Sequence, residues 1–377
     1  MAKIPSRSTP HCLLFFSCLL LLSLQIFCTE EELSWLDHEE TITAAQNSFL
    51  KSCNFAAGKW VFDGSYRPLY DSRRCPYLST AVRCTQNGRP DSGYEQWRWK
   101  PDACSIPRFD ALDFLGRMRK KKIMLIGDSI MRNQWESLVC ILQSVIPSTR
   151  KTVTYNGTTM SFNAVDYETS IVFCWAPFLV ELRQGVEDKK ILHLDLIEDN
   201  AKYWRGVDVL VFDSAHWWTS SQNKPLWSYI MEGSSFYRYM DNMVAYEKGL
   251  MTWARWVDSN LDPKATMVFF RSMSPRHNRG ADLKCLNQSE PLDHLSHPYE
   301  AQPMLVLKEV VRRMSFPVYV HDITTMSFFR RDAHPSIYNM DVGPNQNPRV
   351  KGSGYDCSHW CLPGLPDIWN EMLNALI

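Results

Sequence analysis

The chain has 377 residues with 41 basic and 41 acidic side chains, so its formal net charge is zero. That balance excludes a nucleic-acid binder, which needs a basic face, and an extended acidic or basic tail. A content of 45% hydrophobic and 22% charged residues is that of a globular protein, and the length suits about two domains, or one large domain with an elaboration. Tryptophan is unusually abundant, with 14 residues. Some belong to the core, and so many suggest that a few stack on a flat apolar face of a ligand.

Residues 13–28 are apolar, preceded by Lys3 and Arg7 and followed by Glu30, Glu31 and Glu32. This charge asymmetry keeps the N-terminus cytosolic and sends the remainder across a membrane. The run is short of the usual ~20-residue span, and Phe27, Cys28 and Thr29 make a poor cleavage pattern. Residues 1–28 therefore read as an uncleaved signal anchor, in preference to a cleaved peptide, and the acidic, polar residues 29–50 as a short stem. In both cases the folded part faces the secretory lumen. Cysteine usage agrees. Cys53, Cys75, Cys84, Cys104, Cys140, Cys285, Cys357 and Cys361 sit in polar or turn-rich contexts or at a helix end, as bridges require, while Cys174 lies inside the apolar run SIVFCWAPF and reads as a free buried thiol. Spacing does not give the pairing. Paired CxxC knuckles are missing, so no metal is expected. Asn156 and Asn287 open glycosylation sequons.

Residues 51–109 hold four of these cysteines, many turn residues and little periodicity, which predicts a stapled, loop-rich subdomain. From 110 to 377 the texture changes. KKIMLIG (121–127), IVFCWAP (171–177), VDVLVFD (207–213), ATMVFF (265–270) and FPVYVHDI (316–323) predict buried strands. Helical spacing links Met131, Trp135, Leu138, Val139 and Leu142; then Met243, Tyr246, Leu250, Trp253 and Val257; then Met304, Leu307, Val311 and Met314. A closing helix is predicted after Pro366, carrying Ile368, Trp369, Met372 and Leu373. Strands alternating with helices imply a mostly parallel sheet covered on both faces. Residues 329–356 form a long Gly/Pro/Asn stretch, a length usually functional or mobile. There is no internal repeat.

In such sheets ligands gather at the carboxyl ends of the strands. There KKIMLI runs into Gly127-Asp128-Ser129, which opens a helix. A serine so placed raises its hydroxyl above the sheet edge, with its own N–H aimed where an oxyanion forms. Gly127 allows the sharp turn, and Asp128 pins it. The alternative is that Ser129 is only an N-cap. A second cluster, Asp356-Cys357-Ser358-His359, can place a carboxylate and an imidazole on one side of a turn, so that His359, oriented by Asp356, deprotonates Ser129. The bland alternative is a capping Asp and a satisfied His in a stapled loop.

IGDSIMRNQWESLVC together with DCSHWCLPGLPDIWNEML, preceded by CNFAAGKWVFD and NGRPDSGYEQWRWKPDAC, resembles the plant trichome-birefringence-like family of cell-wall polysaccharide O-acetyltransferases, over nearly the whole chain from residue 51. The resemblance implies an α/β, SGNH/GDSL-like three-layer α/β/α fold with a mostly parallel sheet. It also implies a small disulfide-rich N-terminal subdomain, bridges among the eight cysteines, a Golgi signal anchor, and a triad of Ser129, Asp356 and His359. Two departures stand out. Family members often carry Asn where this chain has Asp213, and an ionised carboxylate would repel an oxyanion rather than donate to it. The segment after Arg276-His277 lacks the Trp-Asn-x-Gly-Gly run of many members.

Further candidates line the cleft: Ser214, whose N–H could substitute for the missing donor, together with His216, Arg276 and His277. Asp332 and His334 mimic the triad partners and rank as backups. Trp97, Trp99, Trp217 and Trp218 offer flat faces to sugar C–H groups, with core packing expected for at least half of them. The expected reaction is acetyl transfer through an acetyl-serine to a hydroxyl of a hemicellulose such as xylan, or of pectin. The rivals are an esterase with the same triad and a non-catalytic wall-polysaccharide binder. No bound cofactor is expected. Acetyl-CoA or another acetyl carrier serves as co-substrate, and the resemblance suggests a multi-span membrane partner that supplies acetyl groups.

Overall fold

The computed structural model describes residues 53–219, 226–277, 285–293, 301–340 and 355–377. The predicted anchor and stem lie outside them, as do residues 341–354 of the Gly/Pro/Asn stretch. Among the described residues no helix is long and apolar enough to cross a membrane. The sheet and the site belong to one compact unit, residues 54–375 with Ile377.

Its strands are β1 (Gly58–Phe62), β2 (Trp97–Pro101), β3 (Lys122–Gly127), β4 (Lys151–Asn156), β5 (Thr159–Ala164), β6 (Thr169–Trp175), β7 (Glu181–Gln184), β8 (Lys190–His193), β9 (Val209–Phe212), β10 (Tyr229–Glu232), β11 (Ser235–Tyr237), β12 (Met267–Arg271) and β13 (Val318–His321). The helices are α1 (Ala111–Arg117), α2 (Ser129–Gln143), α3 (Glu198–Ala201), α4 (His216–Thr219), α5 (Asn242–Asn260), α6 (Gln302–Arg312), α7 (Thr324–Phe328) and α8 (Leu365–Leu376).

Seven strands form the central sheet in the order β13-β12-β9-β3-β6-β5-β4. β13, β12, β9, β3 and β6 run parallel, and the β4–β5 hairpin adds two antiparallel strands at one edge. All five predicted strands are the parallel ones. Their continuous apolar runs follow from burial on both faces. On one face Met124, Ile126, Val172, Leu210, Phe212, Val268 and Phe270 pack against Leu250, Trp253 and Val257 of α5 and Met304, Leu307 and Val310 of α6. On the other, α2 lies against β3 and β6, and α8 joins α2 through Asn370, whose amide donates to Gln134 O at 3.1 Å and accepts from Gln134 Nε2 at 3.1 Å. The fold is a three-layer α/β/α sandwich. The helix α8 begins at Leu365, two residues earlier than expected, with Pro366 inside its first turn, where a missing N–H costs nothing.

A four-stranded sheet, β11-β10-β8-β7, and the antiparallel β1–β2 pair complete the unit. The region 51–109 is not stapled to itself alone. Cys75 bridges to Cys140 at the far end of α2, and Cys84 to Cys361. Cys285 bridges to Cys357, Cys53 and Cys104 are also in disulfides, and Cys174 is free and buried. Asn156 at the hairpin tip and Asn287 are exposed, as a sequon requires.

Candidate active site

β3 ends at Gly127, and α2 starts two residues later. The turn works because Asp128 caps the helix, its Oδ1 accepting from Ile130 N at 2.8 Å. It works also because position 127 has no side chain: a Cβ there would stand 2.8 Å from Asp213 O and 3.2 Å from Asp213 Cβ. Ser129, the first residue of α2, is half-buried. Its hydroxyl has no hydrogen-bond partner among the described residues, and its N–H is one of the unpaired donors at the positive helix end.

Asp356 and His359 are brought together by a tight turn. Asp356 Oδ1 accepts from the backbone N–H groups of Ser358 (2.9 Å) and His359 (3.0 Å), leaving Oδ2 to accept from His359 Nδ1 at 2.7 Å. The ring's Nε2 is therefore left with its lone pair. Burial opposes charge on both groups. Asp356 is nonetheless held well below the usual carboxylate range by the His359 ring and the two N–H donors. His359 is raised, because the Asp356 contact outweighs burial and the carboxylates of Asp128 and Glu136 add to it. Cys357 and Cys361, bridged to Cys285 and Cys84, fix the turn at both ends.

This loop sits at the start of α2. Asn133, one turn beyond Ser129 on the same helix face, clamps Trp360: its Oδ1 accepts from Trp360 N at 2.8 Å and its Nδ2 donates to Trp360 O at 3.2 Å. His359, the residue before, is thus carried to the helix opening, where the Asp128 charge reaches it. Asn133 is absent from the sequence-level candidates. The available signal is a polar residue four positions after Ser129, one turn on along the same helix face.

The remaining candidates divide. Asp213 does not face the site as a free anion. It is buried at the end of β9 and ion-paired with Arg271 at the end of β12. Burial pushes its carboxyl up to about 8 against the pull of Arg271, with Asp128 adding to the rise. Arg271, also missed from sequence, donates to Ile130 O and Gln134 Oε1 at 3.2 Å each and lies over the Trp369 ring. Ser214 is buried; its hydroxyl donates to Pro177 O and accepts from Trp218 Nε1. His216 is buried and bonded to Ser274 O, and burial lowers it to about 4. Arg276 donates to His216 O at 2.9 Å. His277 is buried away from solvent, against His334. Asp332 is held by Arg330 in a buried ion pair, a structural post rather than a spare triad acid. Trp99 and Trp218 are buried, their indole N–H groups donating to Phe55 O and Ser214 Oγ, so neither offers a face to a sugar. Trp97 and Trp217 are half-buried, and Trp217 packs edge-on against Trp175 and Phe178.

A serine at a strand-to-helix turn on a three-layer sandwich, with an Asp–His pair on a loop tied to the same helix, is the layout of a serine acyl-esterase. Comparison agrees. Residues 106–376 match the GDSL/SGNH-like acyl-esterase family found in Pmr5 and Cas1p, and residues 51–105 match the PMR5 N-terminal domain. The chain is 56% identical to protein trichome birefringence-like 36 of Arabidopsis thaliana over 97% of both sequences. It is 42% identical to protein trichome birefringence-like 43 of the same plant, over 86% of this chain and 87% of the other. It is 39% identical to xylan O-acetyltransferase 6 of Oryza sativa subsp. japonica, over 86% of this chain and 62% of the other. The chain belongs to the trichome birefringence-like family of GDSL/SGNH-like acyl-esterase enzymes.

Proposed function

We propose that the chain is a cell-wall polysaccharide O-acetyltransferase that works through an acetyl-serine, with Ser129, His359 and Asp356 as its triad. One observation carries this reading: the imidazole oriented by Asp356 stands on a loop that Asn133 ties to the very helix Ser129 opens. The rice relative named as a xylan O-acetyltransferase supports the acetyl group and the hemicellulose acceptor. His359 Nε2 takes the Ser129 proton as Oγ attacks the acetyl carbonyl. The Ser129 N–H stabilises the oxyanion, and the donor's leaving group departs with the proton from His359. A sugar hydroxyl then gives its proton to His359, attacks the acetyl-serine and leaves acetylated, while His359 returns the proton to Ser129 Oγ. In a free enzyme the serine–imidazole contact is often open and closes in the substrate complex. The enzyme binds no cofactor on this reading and draws acetyl groups from acetyl-CoA or another carrier, supplied by a multi-span membrane partner. It stands in the Golgi as a single-pass protein anchored by residues 1–28, with its catalytic part lumenal.

Incubating the protein with acetyl donor and xylan, xyloglucan, mannan or pectin oligosaccharides, read by mass spectrometry, should yield an acetylated product with at least one acceptor. Ser129→Ala should abolish it while sugar binding persists; a variant retaining most activity removes Ser129 as nucleophile. The name of the matching family favours a second reading, an esterase in which water replaces the sugar. Acetate release from acetylated polysaccharide, with no transfer from donor to oligosaccharide, would establish that instead. The hint for a non-catalytic binder was Asp213, and a carboxyl held by Arg271 no longer supplies it.

A further inference from the structure

Behind the turn that presents Ser129, two acid side chains meet. Asp213 follows β9, and its backbone N–H donates to Ile126 O of β3 at 2.9 Å, so it lies alongside Gly127 and Asp128. Its side chain is in hydrogen-bond contact with that of Asp128. Asp128 Oδ1 accepts from Ile130 N at 2.8 Å, whereas Asp128 Oδ2 is buried with no assigned donor among the described residues. Asp213 Oδ2 accepts from Arg271. Asp128, Asp213 and Arg271 are each at most 3% exposed.

An ionised carboxylate only accepts, so two of them in contact set lone pair against lone pair. One hydrogen on either acid turns that repulsion into a hydrogen bond, as where two carboxyls share a site. Charge balance asks for the same hydrogen. Two carboxylates against one guanidinium leave a net negative charge buried away from water, and a single proton makes the cluster neutral. The proton belongs on Asp213. Asp128 stands at the positive end of α2 and caps Ile130 N, both of which favour its anion.

We propose that Asp213 is a positioning residue for the acetyl transfer: a neutral acid that donates to Asp128 Oδ2 and so holds the turn from which Ser129 is presented. The inference rests on the triad reading. The groups packed around the pair agree with it. Burial raises Asp213 to about 8, with Arg271 opposing and Asp128 adding to the rise. Tyr246 of α5 is buried, its phenol raised well above the usual value, and brings no charge. Burial lowers His216 of α4 to about 4 and His321 of β13 to about 3, so both rings are neutral. Arg276 donates to His216 O and is half-exposed, so water screens its charge. His359, on the catalytic loop, feels Asp128 as an anion and is itself neutral when it acts as the base. Loss of the Asp213 proton would set two anions behind the Ser129 N–H. Their repulsion would pull on the helix cap, and their charge would oppose the oxyanion.

The consequence is a bell-shaped profile of kcat/KM. Activity rises as His359 loses its proton and falls as Asp213 loses its own at about pH 8. Asp213→Leu can neither donate to Asp128 nor accept from Arg271; it should lower kcat about a hundredfold, with KM within about threefold, the pattern of a misplaced catalytic group. Asp213→Asn supplies a donor for Asp128 and an acceptor for Arg271 but has no proton to lose; it should recover most of that activity and erase the alkaline limb. An Asp213→Asn variant that keeps the wild-type alkaline limb, or is as impaired as Asp213→Leu, would overturn the proposal. Asp213→Leu strands a buried guanidinium and can fail to fold, so infrared spectra of the full chain test the proton directly. The difference between wild type and Asp213→Asn should contain the stretch of a protonated carboxyl at neutral pH, fading above about pH 8. Absence of that band would refute the neutral acid even if Ser129→Ala had already established the serine mechanism.

Discussion

Asp356 gives His359 a defined tautomer and a defined face. Its Oδ1 closes the turn on two backbone donors, and its Oδ2 fixes the ring. Asp356→Asn should therefore lower kcat by about 10⁴, since an amide can hold the ring in the wrong tautomer; a loss below tenfold in steady-state assays would leave Asp356 a turn residue only. The sign of the pH dependence follows from the same contact. The base must be neutral to act, and His359 is raised above its ordinary value. The acidic limb of kcat/KM should thus lie above the pH expected for a free imidazole, and Asp356→Asn should move that limb down. The Asp356–His359 contact and the strand-to-helix turn at Ser129 were legible because each lies in a short local pattern with its own turn chemistry. The contact between His277 and His334 was not: they are 57 residues apart in sequence, and no local spacing reveals it. The sequence reading of His334 as a spare triad member fails for the same reason, since its ring is turned to the underside of the loop.

At the scale of elements, the site depends on how closely β3 and β9 end together. Ile126 pairs with Phe212, so Gly127 and Asp213 lie side by side at the sheet edge. Gly127→Ala would press a methyl into Asp213 O and Cβ. The cost is about 1–3 kcal/mol of stability, with a loss of turnover greater than the loss of stability explains; calorimetry and initial rates on the same preparation would separate the two. The parallel strands were readable because their apolar runs are long and unbroken. The β4–β5 hairpin was not, although Asn156-Gly157 is a strong turn signal; its strands are half-polar, with β4 at the sheet edge, and the dipeptide was read as part of a sequon. The strands β7, β8, β10 and β11 have three or four residues each, too few for period-two alternation to stand out.

Over the whole molecule, cross-links tie the two regions that the family models match. Glu136 of α2 accepts from Ser79 N and Oγ, Tyr70 donates to Asp367, and Asn87 donates to the carbonyl of Tyr338. Cys84 joins Cys361 across 277 residues of sequence. Replacing both cysteines by alanine should cost about 2–5 kcal/mol, mostly by freeing the unfolded chain, and should reduce activity by loosening the turn that carries His359; an unchanged denaturation midpoint would show that the surrounding contacts suffice. That bond also orders events during biosynthesis. Its second cysteine follows the first by 277 residues, so it cannot close until the strands and helices between them have been synthesised and both cysteines have met an oxidising compartment. On the proposed mechanism, a chain still short of Cys361 carries Ser129 before the turn that holds His359 is sealed, and is silent until that bond forms.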